Sequence, residues 1–395
     1  MKKRLHFFSV LVLTFFLSKS FSQTFQVGHV STSFTDPSRS NRSITAEIYY
    51  PANTAGNNVP IASGQFPVVV FGHGFIMVWS CYNNIWTDVV PYGYIMVFPT
   101  TETTISPSHL DFGKDIAFLV GAMKAQGLNS SSTFYGAVTN KSAVMGHSMG
   151  GGSAFLSVQF DSSITALASL AAANTTPSAI TAAKNIAIPS IVFSGGNDCV
   201  APSAQNQKPM YDSLISTCKT FVSITGGSHC QFANSNTNCS FGEATCTPSP
   251  TITPTVQQGI VNQLLVPWLN YYLKNDCNSG TQFQSLITAS SGITSQQNCT
   301  LSCATGVGNI VEDKLSAQIM PNPFNSETTV TIQNTNGKIQ NSKLILYDVY
   351  GREVINLPIS SSTIKLERGN LPSGIYFYKI MGDNISGVSG KIIVE

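Results

Sequence analysis

Charge is scarce in this chain of 395 residues. Asp, Glu, Lys and Arg make up 10% of it, against about 25% in ordinary soluble domains, and 21 basic residues against 19 acidic ones leave a net charge of +2. Without a basic face there is no electrostatic footprint for nucleic acid. Histidines number six and no C-x-x-C pair occurs, which argues against a zinc site and implies no metal or cofactor. Beyond the N-terminal leader no window offers about 18 uninterrupted apolar residues, the length that a transmembrane helix needs.

What is present begins with that leader. Lys2-Lys3-Arg4 precede a largely apolar run from Leu5 to Leu17, and Ser18, Ser20 and Ser22 follow. This is the pattern of a signal peptide over residues 1–22, with cleavage expected before Gln23. Lys2, Lys3, Arg4 and Lys19 leave with it, so the processed chain carries about 2 − 4 = −2. The nine cysteines agree with export, because an oxidising compartment lets them pair. Eight lie between Cys199 and Cys303 while Cys81 stands apart, and the odd count leaves at least one over.

Strand and helix signals alternate from Ile44 to Lys274. Ile44–Tyr50, Phe66–Phe71, Tyr94–Phe98, Ala143–Met145, Ile164–Leu170, Ile188–Phe193 and Phe221–Thr225 read as strands, and several are the continuous apolar runs of a sheet buried on both faces. Phe112, Ile116, Leu119, Val120 and Met123 recur at helical spacing, with Gly127 as the expected cap. A short helical signal lies at Lys208–Ile215, and a final helix from about Pro254 to Lys274 carries Val256, Ile260, Leu264, Leu265 and Trp268 on one face. Alternation of this kind predicts an α/β domain over 23–278 with a mostly parallel central sheet. Residues 279–310, rich in Ser, Thr, Gly, Gln and Asn, read as a linker. From Val311 to Glu395 only short alternating strands appear, predicting a small all-β sandwich.

Candidate chemistry centres on Gly146-His147-Ser148-Met149-Gly150, which matches G-x-S-x-G between a strand and a helix. A serine on so sharp a turn is exposed, but it needs a base and an acid to become a nucleophile. In that fold the chain order is Ser, acid, His. After Ser148 one histidine remains, His229, just beyond the strand ending at Thr225. No glutamate lies between them, and of Asp161, Asp198 and Asp212 only Asp198 directly follows a strand. Ser148, Asp198 and His229 are therefore the expected triad. Two oxyanion donors are expected at the N–H of Met149 and the N–H of Phe75, which sits in Gly72-His73-Gly74-Phe75 after an early strand. His73 is expected to support that loop. Phe75, Met149, Trp79 and Trp86 are candidates to wall an apolar acyl site, the alternative for the tryptophans being plain core. His147, beside the serine, is a further candidate contact.

Gly-His-Ser-Met-Gly-Gly-Gly at 146–152, Asn-Asp-Cys-Val-Ala-Pro at 197–202 and Gly-Gly-Ser-His-Cys at 226–230 with Phe232-Ala233-Asn234 resemble the bacterial cutinases and poly(ethylene terephthalate) hydrolases over about residues 65–278. The resemblance implies an α/β-hydrolase fold, a lidless serine esterase acting on short and medium acyl esters or polyesters, and Phe75 and Met149 as oxyanion donors and subsite residues. Where that family places an aromatic clamp, Ala171–Thr176 has no tryptophan, and Asn174 is the candidate contact there. Cys199 and Cys230 flank the acid and the base, so a disulfide could brace the triad. Met320-Pro321-Asn322-Pro323-Phe324, Leu346–Val354, Leu371–Tyr376 and Gly390–Val394 are similar to the C-terminal sorting domain of the type IX secretion system of Bacteroidetes. This implies export across the outer membrane by that machinery, then release or surface attachment. A monomer is expected. An amidase, peptidase or lipase with the same triad, and a non-catalytic binding protein on the same scaffold, are the alternatives.

Overall fold

A computed structural model of the chain describes residues 25–301, 303, 315–334, 342–382 and 385–395. The expected leader at 1–22 and residues 304–310 of the expected linker lie outside them. The chain divides into two compact units between Cys303 and Ala304.

The first unit opens with an antiparallel hairpin, β1 (Gln26–Asp36) and β2 (Arg42–Ala52), followed by the two-residue β3 (Gly56–Asn57). Then come β4 (Phe66–Gly72), α1 (Asn83–Val89), β5 (Ile95–Pro99), α2 (His109–Leu128), β6 (Val138–His147), α3 (Met149–Ser157) and β7 (Ala166–Leu170). The unit continues through α4 (Ala179–Ala183), β8 (Ser190–Gly195), α5 (Gln207–Ser213), β9 (Lys219–Ile224), α6 (Thr237–Glu243), α7 (Pro254–Lys274), α8 (Cys277–Ala289) and β10 (Ile293–Gln297). Together the strands form one ten-stranded sheet in the order β10-β9-β8-β7-β6-β4-β5-β2-β1-β3. Strands β5, β4, β6, β7, β8 and β9 run parallel, whereas β2 and β10 join the two sides antiparallel. This is an α/β-hydrolase fold.

Side-chain alternation builds a core on each face. Val68 and Val70 of β4 point into one cluster with Phe112, Ile116 and Leu119 of α2 and Phe155 of α3. Val69 and Phe71 point into the other with Trp86 of α1 and Leu264, Leu265 and Trp268 of α7. Burial on both faces is why these strands read as unbroken apolar runs. The chain steps outward from β4 to β5 and then returns to β6 on the other side of β4. Such a reversal opens a crevice at the carboxyl ends of the two strands.

Three expectations need correction. Gly127 does not cap α2, which runs through it to Leu128; a Cβ there would lie 2.7 Å from the Val138 Cβ, so the glycine lets the helix end pack on β6. Strand β1 carried no readable signal because it lies near the sheet edge with only Gly28 and Asp36 buried. Residues 279–303 are not a linker. They form α8, which buries Ser279, Gly280, Phe283 and Ile287, and β10, which pairs with β9. Cys218–Cys299 and Cys277–Cys303 staple both to the domain.

Apart from Asp198, the buried carboxylates among the described residues belong to one network. The wholly buried Asp115 of α2 receives Arg42 through two nitrogens at 2.8 and 2.9 Å, Arg39 at 2.6 Å and the Thr101 hydroxyl at 2.6 Å. A desolvated carboxylate is tolerated when its lone pairs are met in this way, and the network ties the β1–β2 hairpin to α2.

The second unit is a sandwich of two antiparallel sheets. Strands β11 (Leu315–Met320), β12 (Glu327–Asn334), β13 (Ser342–Tyr347), β14 (Glu353–Ile359), β15 (Thr363–Glu367), β16 (Gly374–Gly382) and β17 (Ile385–Val394) are sorted as β11-β12-β15 and β14-β13-β16-β17. Val330, Leu344, Leu346, Tyr378 and Ile392 are among its core residues.

Candidate active site

Strand β6 ends at His147 and α3 starts at Met149, so the whole change of direction falls on Ser148. Its φ of 54° and ψ of −120° lie in a region that costs a non-glycine residue on the order of 1–3 kcal/mol. Three backbone hydrogen bonds hold it there: its N–H donates to Leu170 O at 3.0 Å, and its carbonyl accepts from Gly152 at 3.0 Å and Ala173 at 2.9 Å. Close approach explains the neighbouring glycine. A Cβ on Gly150 would sit 2.1 Å from the Gly72 carbonyl oxygen, so only glycine lets the loop after β4 press against the first turn of α3. Ser148 itself stays partly exposed.

Asp198 follows β8 and His229 follows β9, both at carboxyl ends of neighbouring strands. Nδ1 of His229 lies 2.8 Å from Oδ2 of Asp198, and both side chains are buried. The other oxygen, Oδ1, accepts the N–H of Ala201 at 2.8 Å. An ionised carboxylate can only accept, so the Nδ1–H of His229 donates and Nε2 is left bare. The two loops are tied together, Asn197 N–H to Gly227 O at 2.7 Å. Helix α7 fixes the base loop through Gln257, whose amide exchanges bonds of 2.8 and 2.9 Å with the backbone of Ser228. Among the described residues the Ser148 hydroxyl has no hydrogen-bond partner. The link from its turn to the base is His147, whose Nε2 lies 3.0 Å from the His229 carbonyl oxygen and whose ring centroid lies 4.8 Å from that of His229.

On the other side of Ser148 is the loop after β4. The Gly74 carbonyl accepts from Met77 N at 3.0 Å and lies 2.9 Å from His73 Nδ1. In a trans peptide the N–H points opposite to the carbonyl, so these contacts aim the Phe75 N–H away from them. His73 Nε2 faces the Thr101 carbonyl at 2.8 Å, and burial holds this imidazole below the usual histidine range. Met149 N–H is the first of α3 and has no intrahelical acceptor. Among the described residues neither the Phe75 nor the Met149 N–H donates within the protein.

The other candidates fall elsewhere. The Met149 side chain is 3% exposed and packs in the core. His147 is fully buried and cannot touch substrate; burial and the nearby His229 push its pKa well down. Trp79 clusters with His29, Tyr49 and Trp86, with centroids 5.9 to 6.3 Å apart, so both tryptophans belong to an aromatic cluster against β1 and β2. Asn174 is exposed, but its Oδ1 accepts from Ser178 Oγ at 3.0 Å and Ile180 N at 3.3 Å, which commits it to the start of α4. Phe75, 47% exposed, is the candidate that faces solvent at the site. Cys199 and Cys230 do not pair with each other. They bond to Cys246 and Cys239 respectively, just beyond and on α6, and Cys81 is free. Asn238 of α6 donates to Ile76 O at 2.7 Å, so one short helix is tied to the acid, base and oxyanion loops. Sequence reasoning missed Gln257, which carries no motif signal.

Comparison with known proteins places the chain in a family. Residues 22–300 match a family model described as PET hydrolase-like, and residues 318–395 match the secretion system C-terminal sorting domain. That tail indicates secretion by the type IX system, with release or surface attachment to follow. No helix among the described residues is long and apolar enough to cross a membrane. A bis(hydroxyethyl) terephthalate hydrolase of Streptomyces coelicolor is 26% identical over 194 residues, 48% of this chain and 56% of that protein. Chlorophyllase-2 of Arabidopsis thaliana is 33% identical over 99 residues, 24% of this chain and 30% of that protein. The chain thus spans about half or less of the length of these relatives. The family model covers residues 22–300, which include the strained turn at Ser148 and the Asp198–His229 pair, and the chain belongs to the PET hydrolase-like family.

Proposed function

We propose that this protein is a secreted carboxylic-ester hydrolase working through Ser148, His229 and Asp198. The observation that carries the reading is the 2.8 Å contact between Asp198 and His229 Nδ1, beside a serine in a strained turn. His229 Nε2 takes the Ser148 proton as Oγ attacks the ester carbonyl. The developing oxyanion is held by the N–H groups of Phe75 and Met149, which are free for it. His229 then protonates the departing alcohol, and water attacks the acyl-enzyme by the same route in reverse. Asp198 keeps the imidazole in the tautomer that can accept. Short and medium acyl esters are the first substrate class and polyester chains the second. The terephthalate-ester hydrolase among the relatives supports an aromatic ester, and the exposed ring of Phe75 offers it a platform.

The test is Ser148→Ala assayed on p-nitrophenyl butyrate. Hydrolysis falls on the order of 10³-fold or more while circular dichroism stays that of the wild type; retained turnover refutes the nucleophile. A panel of short and long acyl esters, a polyester film and an amide then separates esterase from amidase, since comparable rates on the amide favour the latter.

A further inference from the structure

Tyr82 closes the short 3-10 turn Trp79–Tyr82, wholly buried with its ring 4.7 Å from that of Phe71. Its hydroxyl is a junction. The Gly74 N–H donates to Tyr82 Oη at 2.8 Å, and Oη lies 2.9 Å from His147 Nδ1. At the other edge of that ring, Nε2 lies 3.0 Å from the His229 carbonyl oxygen.

Proton directions along this chain can be worked out. A carbonyl only accepts, so the proton of His147 is on Nε2, and a neutral ring then has a bare Nδ1. That nitrogen accepts the one hydroxyl proton of Tyr82; Met77 Sδ, 3.3 Å away, is the weaker acceptor. The hydroxyl oxygen in turn accepts from Gly74. Burial pushes the Tyr82 phenol up and the His147 imidazole down, so neither ionises near neutral pH and the order of protons is kept. The packing leaves no slack: a Cβ on Gly74 would lie 2.7 Å from Met77 Sδ, 3.1 Å from Tyr82 Oη and 3.3 Å from His147 Nδ1.

One end of the chain is the residue before Phe75, and the other is the backbone of His229. We propose that Tyr82 and His147 are positioning residues that hold the oxyanion loop and the general base in fixed register through this hydrogen-bond chain. The inference rests on the esterase reading above. Both ends matter only as charge develops, negative at the oxyanion and positive on His229. A neutral His147 ring 4.8 Å from His229 leaves the imidazolium unopposed, where a charged one would repel it.

Tyr82→Phe removes the hydroxyl and keeps the ring in its packing. On p-nitrophenyl butyrate kcat falls about tenfold to a hundredfold, the range for a buried hydrogen bond that counts only in the transition state, with KM within about twofold. Affinity for butylboronic acid, which mimics the tetrahedral adduct, falls in parallel with kcat/KM. His147→Gln, whose amide can still donate to the His229 carbonyl, keeps more activity than His147→Phe. A Tyr82→Phe enzyme with kcat within about twofold of wild type, or a loss carried by KM with unchanged boronate affinity, overturns the register. Should Tyr82→Phe fail to fold, equal activity of the two His147 variants overturns it instead. Ser148→Ala is the control: if it still hydrolyses the ester, the esterase reading falls and the register with it. If it is dead while Tyr82→Phe is unaffected, only the register falls.

Discussion

Replacing Asp198 by Asn changes one atom, and the structure says what that atom does. Oδ1 accepts the Ala201 N–H at 2.8 Å and Oδ2 accepts the His229 Nδ1–H at 2.8 Å. An asparagine there has one oxygen and one NH₂. Turning the NH₂ toward Ala201 would bring two donors together in a site closed to water, leaving both unpaired at roughly 1–3 kcal/mol each. The oxygen therefore stays on Ala201 and the NH₂ faces His229. Nδ1 must now accept, so the ring proton moves to Nε2, the atom that has to take the proton of Ser148. The base is present and correctly placed but already occupied. A loss on the order of 10⁴-fold in kcat follows, equivalent to about 5.4 kcal/mol of transition-state stabilisation. The assay is initial-rate hydrolysis of p-nitrophenyl butyrate at pH 8 over a range of substrate concentrations, with thermal melts to show that the isosteric variant is folded. A fall of less than about tenfold in kcat, or one confined to KM, refutes the tautomer argument.

Stability should decline on acidification through the buried histidines. Burial holds His73 and His147 below their ordinary value of 6.5, so below that pH the unfolded chain binds protons that the folded one does not. Stability is then fully present above pH 6.5 and is lost as pH falls, by up to about 1.4 kcal/mol per pH unit for each ring. Urea titrations at pH 7, 6 and 5 should show this slope, reduced by one proton in His147→Gln; equal stability at pH 7 and 5 refutes it. Removal of Cys199–Cys246, with a sequence separation of 47, should cost about 4 kcal/mol, and removal of Cys230–Cys239, with a separation of 9, about 2.6 kcal/mol on chain entropy. Urea midpoints of the two Cys→Ser pairs decide it, and the reverse order contradicts the loop-length argument.

How far the sequence could be read depended on burial. Strands β4, β6, β7 and β8 were legible because both of their faces are covered; for the site, chain order and elimination singled out Ser148, Asp198 and His229, and the proposed mechanism rests on that choice together with the 2.8 Å contact between the last two. Strand β1 was not legible, since its few apolar residues, Val27, Val30 and Phe34, are only partly buried and are interrupted by Ser, Thr and His. Helix α8 hid behind Ser279 and Gly280, small residues that look like linker but are buried here, Gly280 against Tyr271 and Ser279 held by Asp276 at the N-cap. Side-chain direction was hidden as well. His147 and Met149 flank the serine equally in the sequence and suggested contact with substrate. A residue with φ of 54° at the apex instead turns both neighbours inward, Met149 to the core and His147 to His229.

The same logic explains the cysteines. A domain with few charges cannot lace its loops together by surface ion pairs, which are worth little in any case. Loops at the carboxyl ends of strands also lack the ladder bonds that fix the strands. Cys199 and Cys230 stand one residue beyond the acid and the base, where a cross-link constrains backbone without displacing either side chain. Each leads to its own partner, one on α6 and one just past it, and Glu243 of α6 accepts the Cys230 N–H at 3.2 Å. A direct bond between the two cysteines would tie only two loops. Passing through α6, with Asn238 reaching Ile76, ties the loop after β4 to them as well, so the three segments that carry the proposed chemistry share one anchor.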